Sequence, residues 1–124
     1  MTLADTSVWV EHFRRGHTGL RKLLEKGEVI MHPFVYGELA CGHLPYRART
    51  LSLLAALPSL NPADDSAVLY AIDLRKWSGR GIGWIDAHLL TSALLTRTPL
   101  WTLDRKLRDL ASEAGAAWTR GGLH

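Results

Sequence analysis

The stretch Leu3-Ala4-Asp5-Thr6-Ser7-Val8 (LADTSV, residues 3–8) places a carboxylate between a short apolar segment and the start of a helical pattern. The apolar pair Leu3–Ala4 is typical of a buried strand, and Trp9 and Phe13, four residues apart, indicate one face of a helix. A strand that leads directly into a helix is the first half of a βαβ unit. Asp5 therefore lies where a residue either caps a helix or serves a site.

The same alternation continues along the chain. Further buried strands are predicted near Glu28–Met31, Leu60, Leu100–Thr102 and Ala116–Trp118, with helical patterns in the gaps. Because strands that alternate with helices pair in parallel through crossovers, we predict an α/β domain with a central, mainly parallel sheet of about four to five short strands flanked by helices. Neither a linker nor a repeat divides the chain, so one domain over residues 1–124 is expected.

The helices are marked by apolar spacing and by proline. Pro33 suits a first helical turn, and Pro58 ends a helix that contains Leu51, Leu54 and Leu57. The longest candidates are Ser66–Trp77 and Ile85–Leu95. The remaining patterns are Leu20, Leu23 and Leu24, then Phe34, Glu38 and Cys41, and finally Leu103, Leu107, Leu110, Ala111 and Ala114.

Composition excludes several classes of protein. A chain of 124 residues that is 47% hydrophobic and 22% charged is long enough for a real core. Its single cysteine, Cys41, permits neither an internal disulfide nor a cysteine-rich zinc site. Neither a signal peptide nor an apolar run long enough to cross a bilayer is recognisable, so a cytoplasmic location and no membrane contact are expected. The net charge of +3 implies only weak attraction to polyanions.

Four acids stand out by position. Asp5, Asp86 and Asp104 lie within a residue or two of predicted helix starts, where a carboxylate accepts backbone N–H groups, and helix capping alone explains each of them. Glu38 escapes that account because it lies inside a largely apolar helix. A carboxylate there needs a partner, such as an arginine, or a solvated position.

Four segments, taken in order, carry a family resemblance: LADTSVWVEHF, FVYGELACG, GWIDAHLLTSALL and PLWTLDRKL. Together they resemble the PIN-domain ribonucleases, and most of all the VapC-type toxins of bacterial toxin–antitoxin pairs. The resemblance runs from Thr2 to about Trp118. It implies that the family's acidic quartet falls on Asp5, Glu38, Asp86 and Asp104, with Thr6 or Ser7 and Thr102 as supporting polar residues.

Such a quartet requires a cation. Two carboxylates about 4 Å apart repel by roughly 4 kcal/mol at an effective dielectric constant near 20. Because oxygen ligands select hard ions, Mg²⁺ or Mn²⁺ is expected, and the absence of a His and Cys cluster disfavours zinc. We expect Asp5, Asp86 and Asp104 to bind the ion directly or through water. Glu38 is expected either to complete the ligand set or to orient the attacking water.

The resemblance also implies a reaction and partners. The expected activity is endonucleolytic, metal-assisted hydrolysis of RNA that leaves a 5′ phosphate and a 3′ hydroxyl, with tRNA as a plausible target. The expected partners are a VapB-type antitoxin and a second copy of the chain. The apolar stretches around Leu39–Leu44 and Leu51–Leu60 are candidate contact surfaces, although core packing explains them equally well.

The surface that would hold RNA can only be sketched. Candidate phosphate contacts are Arg14, Arg15, Arg80, Arg105, Lys106 and Arg120, for which a solvated surface is the alternative. The glycine-rich residues 79–83 are interpreted as a mobile loop at the rim of the site rather than a phosphate loop. Trp84, Trp101 and Trp118 are interpreted mainly as packing residues, with Trp84 also a candidate for base stacking.

Two other functions compete with the nuclease. A haloacid-dehalogenase-type phosphatase also begins with an Asp after its first strand, but it needs a second acid two residues later, where this chain has Ser7. A catalytically inactive PIN-like interaction module would keep the fold and lose the chemistry. The presence of all four motif acids argues against such decay.

Overall fold

The computed structural model describes residues 1–120, in which three parallel strands are surrounded by helices. The strands are β1 (Thr2–Ala4), β2 (Val29–Ile30) and β3 (Leu100–Trp101). The helices are α1 (Thr6–Arg15), α2 (Thr18–Glu25), α3 (Pro33–Cys41), α4 (Arg47–Ala55), α5 (Asp65–Arg75), α6 (Trp84–Thr96) and α7 (Arg105–Glu113). The predicted α/β class is confirmed. The predicted single domain over residues 1–124 includes residues 121–124, which lie outside the described part.

The sheet has the order β2-β1-β3, with all pairs parallel. Leu3 of β1 pairs with Ile30 on one side and with Leu100 on the other. The parallel pairing brings the carboxyl ends of β1 and β3 to the same edge. Asp5 directly follows β1 and Asp104 lies three residues beyond β3, so the topology gathers both acids at that edge.

The segments predicted as further strands pair through single bridges only. Met31 bridges Ser59 beyond β2, and Leu100 bridges Ala117 beyond β3, both in parallel orientation. Described by its ladders, the sheet has three strands, and these bridges extend it by one contact on each side. This arrangement is compatible with the predicted short-stranded sheet.

The core is formed by apolar side chains of the sheet and the helices that cover it. Leu3 and Leu100 are 0% and 1% exposed, and α6 is buried continuously from Ala87 to Ala93. A helix that is buried on all sides has apolar residues on more than one face. This explains why the sequence of α6 shows two adjacent apolar faces instead of one. The burial of α6 fixes the position of Asp86 in its first turn.

The helix boundaries differ from the predicted ones by a few residues. Leu103 was expected to belong to the last helix, but Asp104 caps that helix, and Leu103 lies before it with 41% of its surface exposed. Helix α5 ends at Arg75 rather than Trp77, because Lys76 adopts the left-handed conformation, with φ of 59°. Pro33 begins α3, as predicted. Helix α4 ends at Ala55, so Leu57, which is predicted to belong to it, lies beyond its end.

Within residues 1–120, no helix combines the length and the apolar character needed to cross a bilayer.

Candidate active site

Asp5 caps α1 and also forms the floor of a polar cleft. Its Oδ1 accepts a hydrogen bond from the backbone N–H of Val8 at 3.3 Å, which is the capping contact. The Ser7 hydroxyl donates to Oδ1 and the Thr102 hydroxyl donates to Oδ2, both at 2.5 Å. Only 5% of Asp5 is exposed, and this burial raises the pKa of its carboxyl group, while the hydrogen bonds act in the opposite direction.

Asp104 is joined to Asp5 through one hydroxyl group. Thr102 Oγ1, which donates to Asp5, accepts the backbone N–H of Asp104 at 3.0 Å. Asp104 in turn caps α7, because its Oδ1 accepts the N–H of Leu107 at 3.1 Å. The Asp104 side chain is exposed, so that its second oxygen is accessible from solvent.

Ser7 ties the same two strand ends together a second time. Besides donating to Asp5, its Oγ accepts the backbone N–H of Leu103 at 2.9 Å and lies 3.5 Å from Thr102 Oγ1. The supporting roles expected for Ser7 and Thr102 therefore correspond to definite contacts around Asp5.

Glu38 lies on α3 opposite the first turn of α1. The Thr6 hydroxyl donates to Glu38 Oε1 at 2.6 Å, across 32 residues of chain. Glu38 is exposed and its hydrogen bond comes from a hydroxyl, so within residues 1–120 it occupies the solvated position rather than pairing with an arginine. Since Thr6 follows Asp5 directly, this contact places the two carboxylates next to the same turn.

Asp86 faces the other three acids from the first turn of α6. One of its oxygens accepts the N–H of Gly83 at 3.4 Å, and the side chain is half-buried. Burial is the largest cause that raises the pKa of Asp86, and the negative charges of Asp104, Asp5 and Glu38 raise it further, in that order. The four predicted acids therefore lie within electrostatic reach of one another.

The chemistry of these donors fits a hard divalent cation. Carboxylate oxygens are the ligands that Mg²⁺ and Mn²⁺ prefer, and a cation relieves the repulsion that acts on Asp86. In the described part of the chain, no three His, Cys, Asp or Glu side chains are already gathered closely enough to hold an ion. Asp5 instead holds its hydroxyl donors, so binding a cation requires small rearrangements of side chains.

The six basic residues that are candidate phosphate contacts differ in their surroundings. Arg80 pairs with Glu113 at 2.6 Å and Arg15 lies 3.7 Å from Glu11, so both already have carboxylate partners. Arg14 lines a groove of about 280 Å³ together with Glu38. Lys106 packs against the loop at Gly81, where a Cβ atom would lie 2.6 Å from its Cδ. Arg105 and Arg120 are exposed.

Two buried histidines, His32 and His88, were not predicted from the sequence. His32 caps α3 by accepting the N–H of Phe34 at Nδ1, 2.9 Å away, and its Nε2 lies 3.2 Å from Ser92 Oγ on α6. With Nδ1 accepting, the proton resides on Nε2, which donates to Ser92. His32 thereby connects the helix that carries Glu38 with the helix that carries Asp86. Its place directly before Pro33 was the one signal available.

The second histidine, His88, lies beside this contact. Its Nε2 is 2.9 Å from Asp65 Oδ1, and its ring packs edge-on against Phe34 and Trp84. Burial, followed by repulsion from His88, lowers the pKa of His32 to about 4. His32 is therefore neutral at physiological pH.

Three comparisons with known proteins identify the family and the fold. The model of the PIN domain matches residues 2–113. Ribonuclease VapC32 of Mycobacterium tuberculosis, in strains CDC 1551 / Oshkosh and ATCC 25618 / H37Rv, is 42% identical over 118 residues, which cover 94% of this chain and 95% of the relative.

Two solved structures share the fold. VapBC-1 from nontypeable Haemophilus influenzae superposes with a TM-score of 0.72 at 20% identity, covering 95% of this chain and 96% of that one. A toxin–antitoxin complex from Klebsiella pneumoniae superposes with a TM-score of 0.65 at 22% identity, covering 84% and 87%. At such identities these structures support the fold alone.

Proposed function

Because the chain belongs to the PIN-domain family, with residues 2–113 matching and a ribonuclease relative 42% identical, we propose that it is a metal-dependent endoribonuclease. The observation that carries the proposal is the repulsion that Asp104, Asp5 and Glu38 exert on Asp86. Acids used only as helix caps would have no reason to converge. Two of the four follow strands β1 and β3, one lies in the first turn of α6 and one lies inside α3, yet the charges of the other three all act on Asp86.

Asp5, Asp86 and Asp104 are the proposed ligands of Mg²⁺ or Mn²⁺, directly or through water. When bound, such a cation makes a water molecule more acidic and offsets the charge that develops on a phosphodiester. Ser7 and Thr102 orient the Asp5 carboxylate and favour its charged form by donating to both of its oxygens. A charged Asp5 is the form that can bind a cation.

Glu38 is the acid best placed to handle the attacking water. It is exposed, and only one of its oxygens receives the Thr6 hydroxyl. The second oxygen is available to accept a proton from water or to complete the ligand set. A general base must lie within hydrogen-bonding reach of the proton it removes, and an exposed carboxylate at the mouth of the cleft satisfies that condition.

The proposed substrate is RNA, with tRNA as the proposed target class, cleaved to leave a 5′ phosphate and a 3′ hydroxyl. Apart from the four acids of the cleft, the chain carries 15 basic and eight acidic side chains. Such a surface attracts a phosphate backbone. The acids themselves repel RNA unless a cation is bound, which couples substrate binding to metal binding.

The proposed partners are a VapB-type antitoxin and a second copy of the chain, with the protein acting as the toxin of the pair. The groove that contains Glu38, Arg14 and His43 is otherwise largely apolar, with Val10, Phe13 and Leu39 in its walls. An apolar antitoxin segment fits these walls, and its basic side chain would meet the acids at the end of the groove.

Replacing carboxylate by carboxamide separates the nuclease from a folded domain whose acids serve only as caps. Asn caps a helix about as well as Asp, so Asp5→Asn and Asp104→Asn should melt within a few degrees of the unchanged protein. Cleavage of RNA in the presence of Mg²⁺ should fall by more than about a hundredfold, as expected for the loss of a metal ligand. Equal cleavage by the variants would reject the assignment. Absence of cleavage by the unchanged protein would favour the inactive interaction module.

A further inference from the structure

A second cleft contains aromatic and basic side chains. Its volume is about 350 Å³. Trp101 and Trp118 stack on each other, with ring centroids 4.1 Å apart and planes inclined by 26°, and the His17 ring meets Trp101 edge-on at 5.0 Å. The cleft is lined by His17, Thr18, Gly19, Lys22, Leu23, Lys26, Trp101, Trp118 and Arg120. We call it the tryptophan cleft.

The ionisable groups of the tryptophan cleft are exclusively basic. Lys22 lies in the last turn of α2, Lys26 is the C-cap residue four positions later, and Arg120 is the last residue that the structure describes. Among residues 1–120, none of these three cations has an ion-pair partner, whereas Arg15 and Arg80 do. Cations scattered over a convex surface need no explanation. Here they surround an aromatic cavity whose lining contains no carboxylate.

The floor of the tryptophan cleft is closely packed. Gly19 lets the first turn of α2 approach the sheet, because a Cβ atom there would lie 3.2 Å from both Trp101 and His17. Trp101 is only 7% exposed, while Trp118 is half-buried and presents the accessible ring. The accessible indole of Trp118 is therefore stacked on the buried indole of Trp101.

The tryptophan cleft is linked to the proposed nuclease site through consecutive residues at the end of β3. Trp101 directly precedes Thr102, whose hydroxyl binds Asp5. Because neighbouring side chains of an extended strand point to opposite faces, the cleft and the acids flank the end of β3. A strand of RNA that crosses this end can reach both.

We propose that the tryptophan cleft binds one nucleotide of single-stranded RNA that flanks the cleaved phosphodiester, and this inference rests on the proposed ribonuclease function. The base stacks on Trp118, and Lys22, Lys26 and Arg120 hold the adjacent phosphates. A cavity of about 350 Å³ is within the range of small-ligand sites. Aromatic stacking accepts every base, so the cleft contributes affinity and position rather than sequence preference.

The test is the binding of a fluorescently labelled single-stranded RNA, about a dozen nucleotides long, by a protein that cannot cleave it. All proteins carry Asp5→Asn, and affinity is measured by anisotropy over a series of salt concentrations. Lys22→Ala with Lys26→Ala removes two cations of the cleft. Arg49→Ala with Arg75→Ala is the charge-matched control, because both arginines are exposed and neither has an ion pair within residues 1–120.

The lysine pair should lower the magnitude of the slope of log affinity against log salt by about 1.4, at roughly 0.7 for each phosphate contact with a single strand. The control pair should leave that slope almost unchanged. Trp118→Leu should weaken binding about five- to a hundredfold, and Trp118→Phe, which keeps an aromatic face, should retain most of the affinity. Circular dichroism verifies that each variant is folded.

The inference and the proposed function fail separately. If the lysine pair and the control pair change affinity and slope equally, or if Trp118→Leu binds as tightly as Trp118→Phe, the cleft does not hold RNA, whatever the nuclease does. If the unchanged protein cleaves no RNA with Mg²⁺ but the cleft variants lose binding as described, the nuclease assignment is wrong and the cleft remains an RNA site.

Discussion

The Thr102 hydroxyl donates a hydrogen bond of 2.5 Å to Asp5 and accepts one of 3.0 Å from the backbone of Asp104. One buried hydroxyl thus connects the acid that follows β1 with the acid that follows β3. Thr102 is 3% exposed, so water cannot replace it. An uncharged residue thus ties the Asp5 carboxylate to the backbone of Asp104.

Removing this hydroxyl should impair catalysis without removing an acid. Thr102→Val keeps the shape of the side chain and leaves Asp5 Oδ2 without that donor, so cleavage of RNA should fall about 10- to 100-fold. Thr102→Ser keeps the hydroxyl and should retain most of the activity. Initial rates over a range of Mg²⁺ concentrations provide the measurement. Similar rates for Thr102→Val and Thr102→Ser would show that the hydroxyl does not orient Asp5.

Three of the four predicted acids have a local signal in the sequence. Asp5 and Asp104 follow strands and cap helices, and Asp86 lies in the first turn of its helix, which are features of neighbouring residues. The resemblance added Glu38, for which local chemistry left two alternatives. The structure resolves them through the hydroxyl of Thr6, which lies 32 positions away and cannot be inferred from spacing.

The histidine pair and the tryptophan cleft could not be predicted for the same physical reason. His32 contacts Ser92, which is 60 positions away in the sequence. Trp101 stacks on Trp118, which lies beyond helix α7. Periodicity identifies which face of an element is buried, but not which residue of another element it will meet. The apolar character of a short run also does not distinguish a strand that forms a ladder from a segment that forms a single bridge, as at Ser59 and Ala117.

The two nitrogens of His32 should be separable by substitution. Asn reproduces the Nδ1 acceptor that caps α3, and Gln reaches toward the Nε2 position that bonds to Ser92. Each variant loses one buried hydrogen bond, at a cost of about 1–3 kcal/mol in the free energy of unfolding. Urea denaturation at pH 7 measures it. Ser92→Ala should cost little more in the His32→Asn background, since both remove the same contact, and fully additive losses would contradict that link.

Protonation of His32 should destabilise the protein in acid. Its pKa is about 4 in the folded state and near the ordinary 6.5 in the unfolded chain, so the unfolded state binds more protons between these values. The stability that neutral His32 provides is complete above pH 6.5 and is lost as the pH falls toward 4. This loss should be roughly 3 kcal/mol and absent from His32→Gln. Unfolding curves at pH 7 and pH 4.5 test it, and equal pH dependence of both proteins would contradict it.

The basic residues should contribute unequally to RNA binding. Arg14 lines the groove with Glu38 and has no ion pair within residues 1–120, whereas Arg80 is held by Glu113. Arg14→Ala should weaken RNA binding and lower the magnitude of the salt slope by about 0.7, while Arg80→Ala should change both less. Anisotropy titrations in the Asp5→Asn background compare them. A larger effect of Arg80→Ala would show that its pairing with Glu113 opens when RNA binds.

Replacing Asp86 should have opposite effects on stability in the absence of metal and on stabilisation by metal. Because burial and the other three acids raise the pKa of Asp86, its charged form opposes folding above the ordinary pKa of 3.8, and this penalty disappears as the pH falls and the group is protonated. With divalent cations removed by a chelator at pH 7, Asp86→Asn should therefore melt at a higher temperature than the unchanged protein. Added Mg²⁺ should stabilise the unchanged protein in proportion to the logarithm of its concentration once binding approaches saturation, but it should leave Asp86→Asn nearly unaffected. Thermal unfolding with and without Mg²⁺ measures both effects. A variant that melts lower than the unchanged protein in chelator, yet is stabilised equally by Mg²⁺, would place Asp86 among the structural acids and outside the metal site.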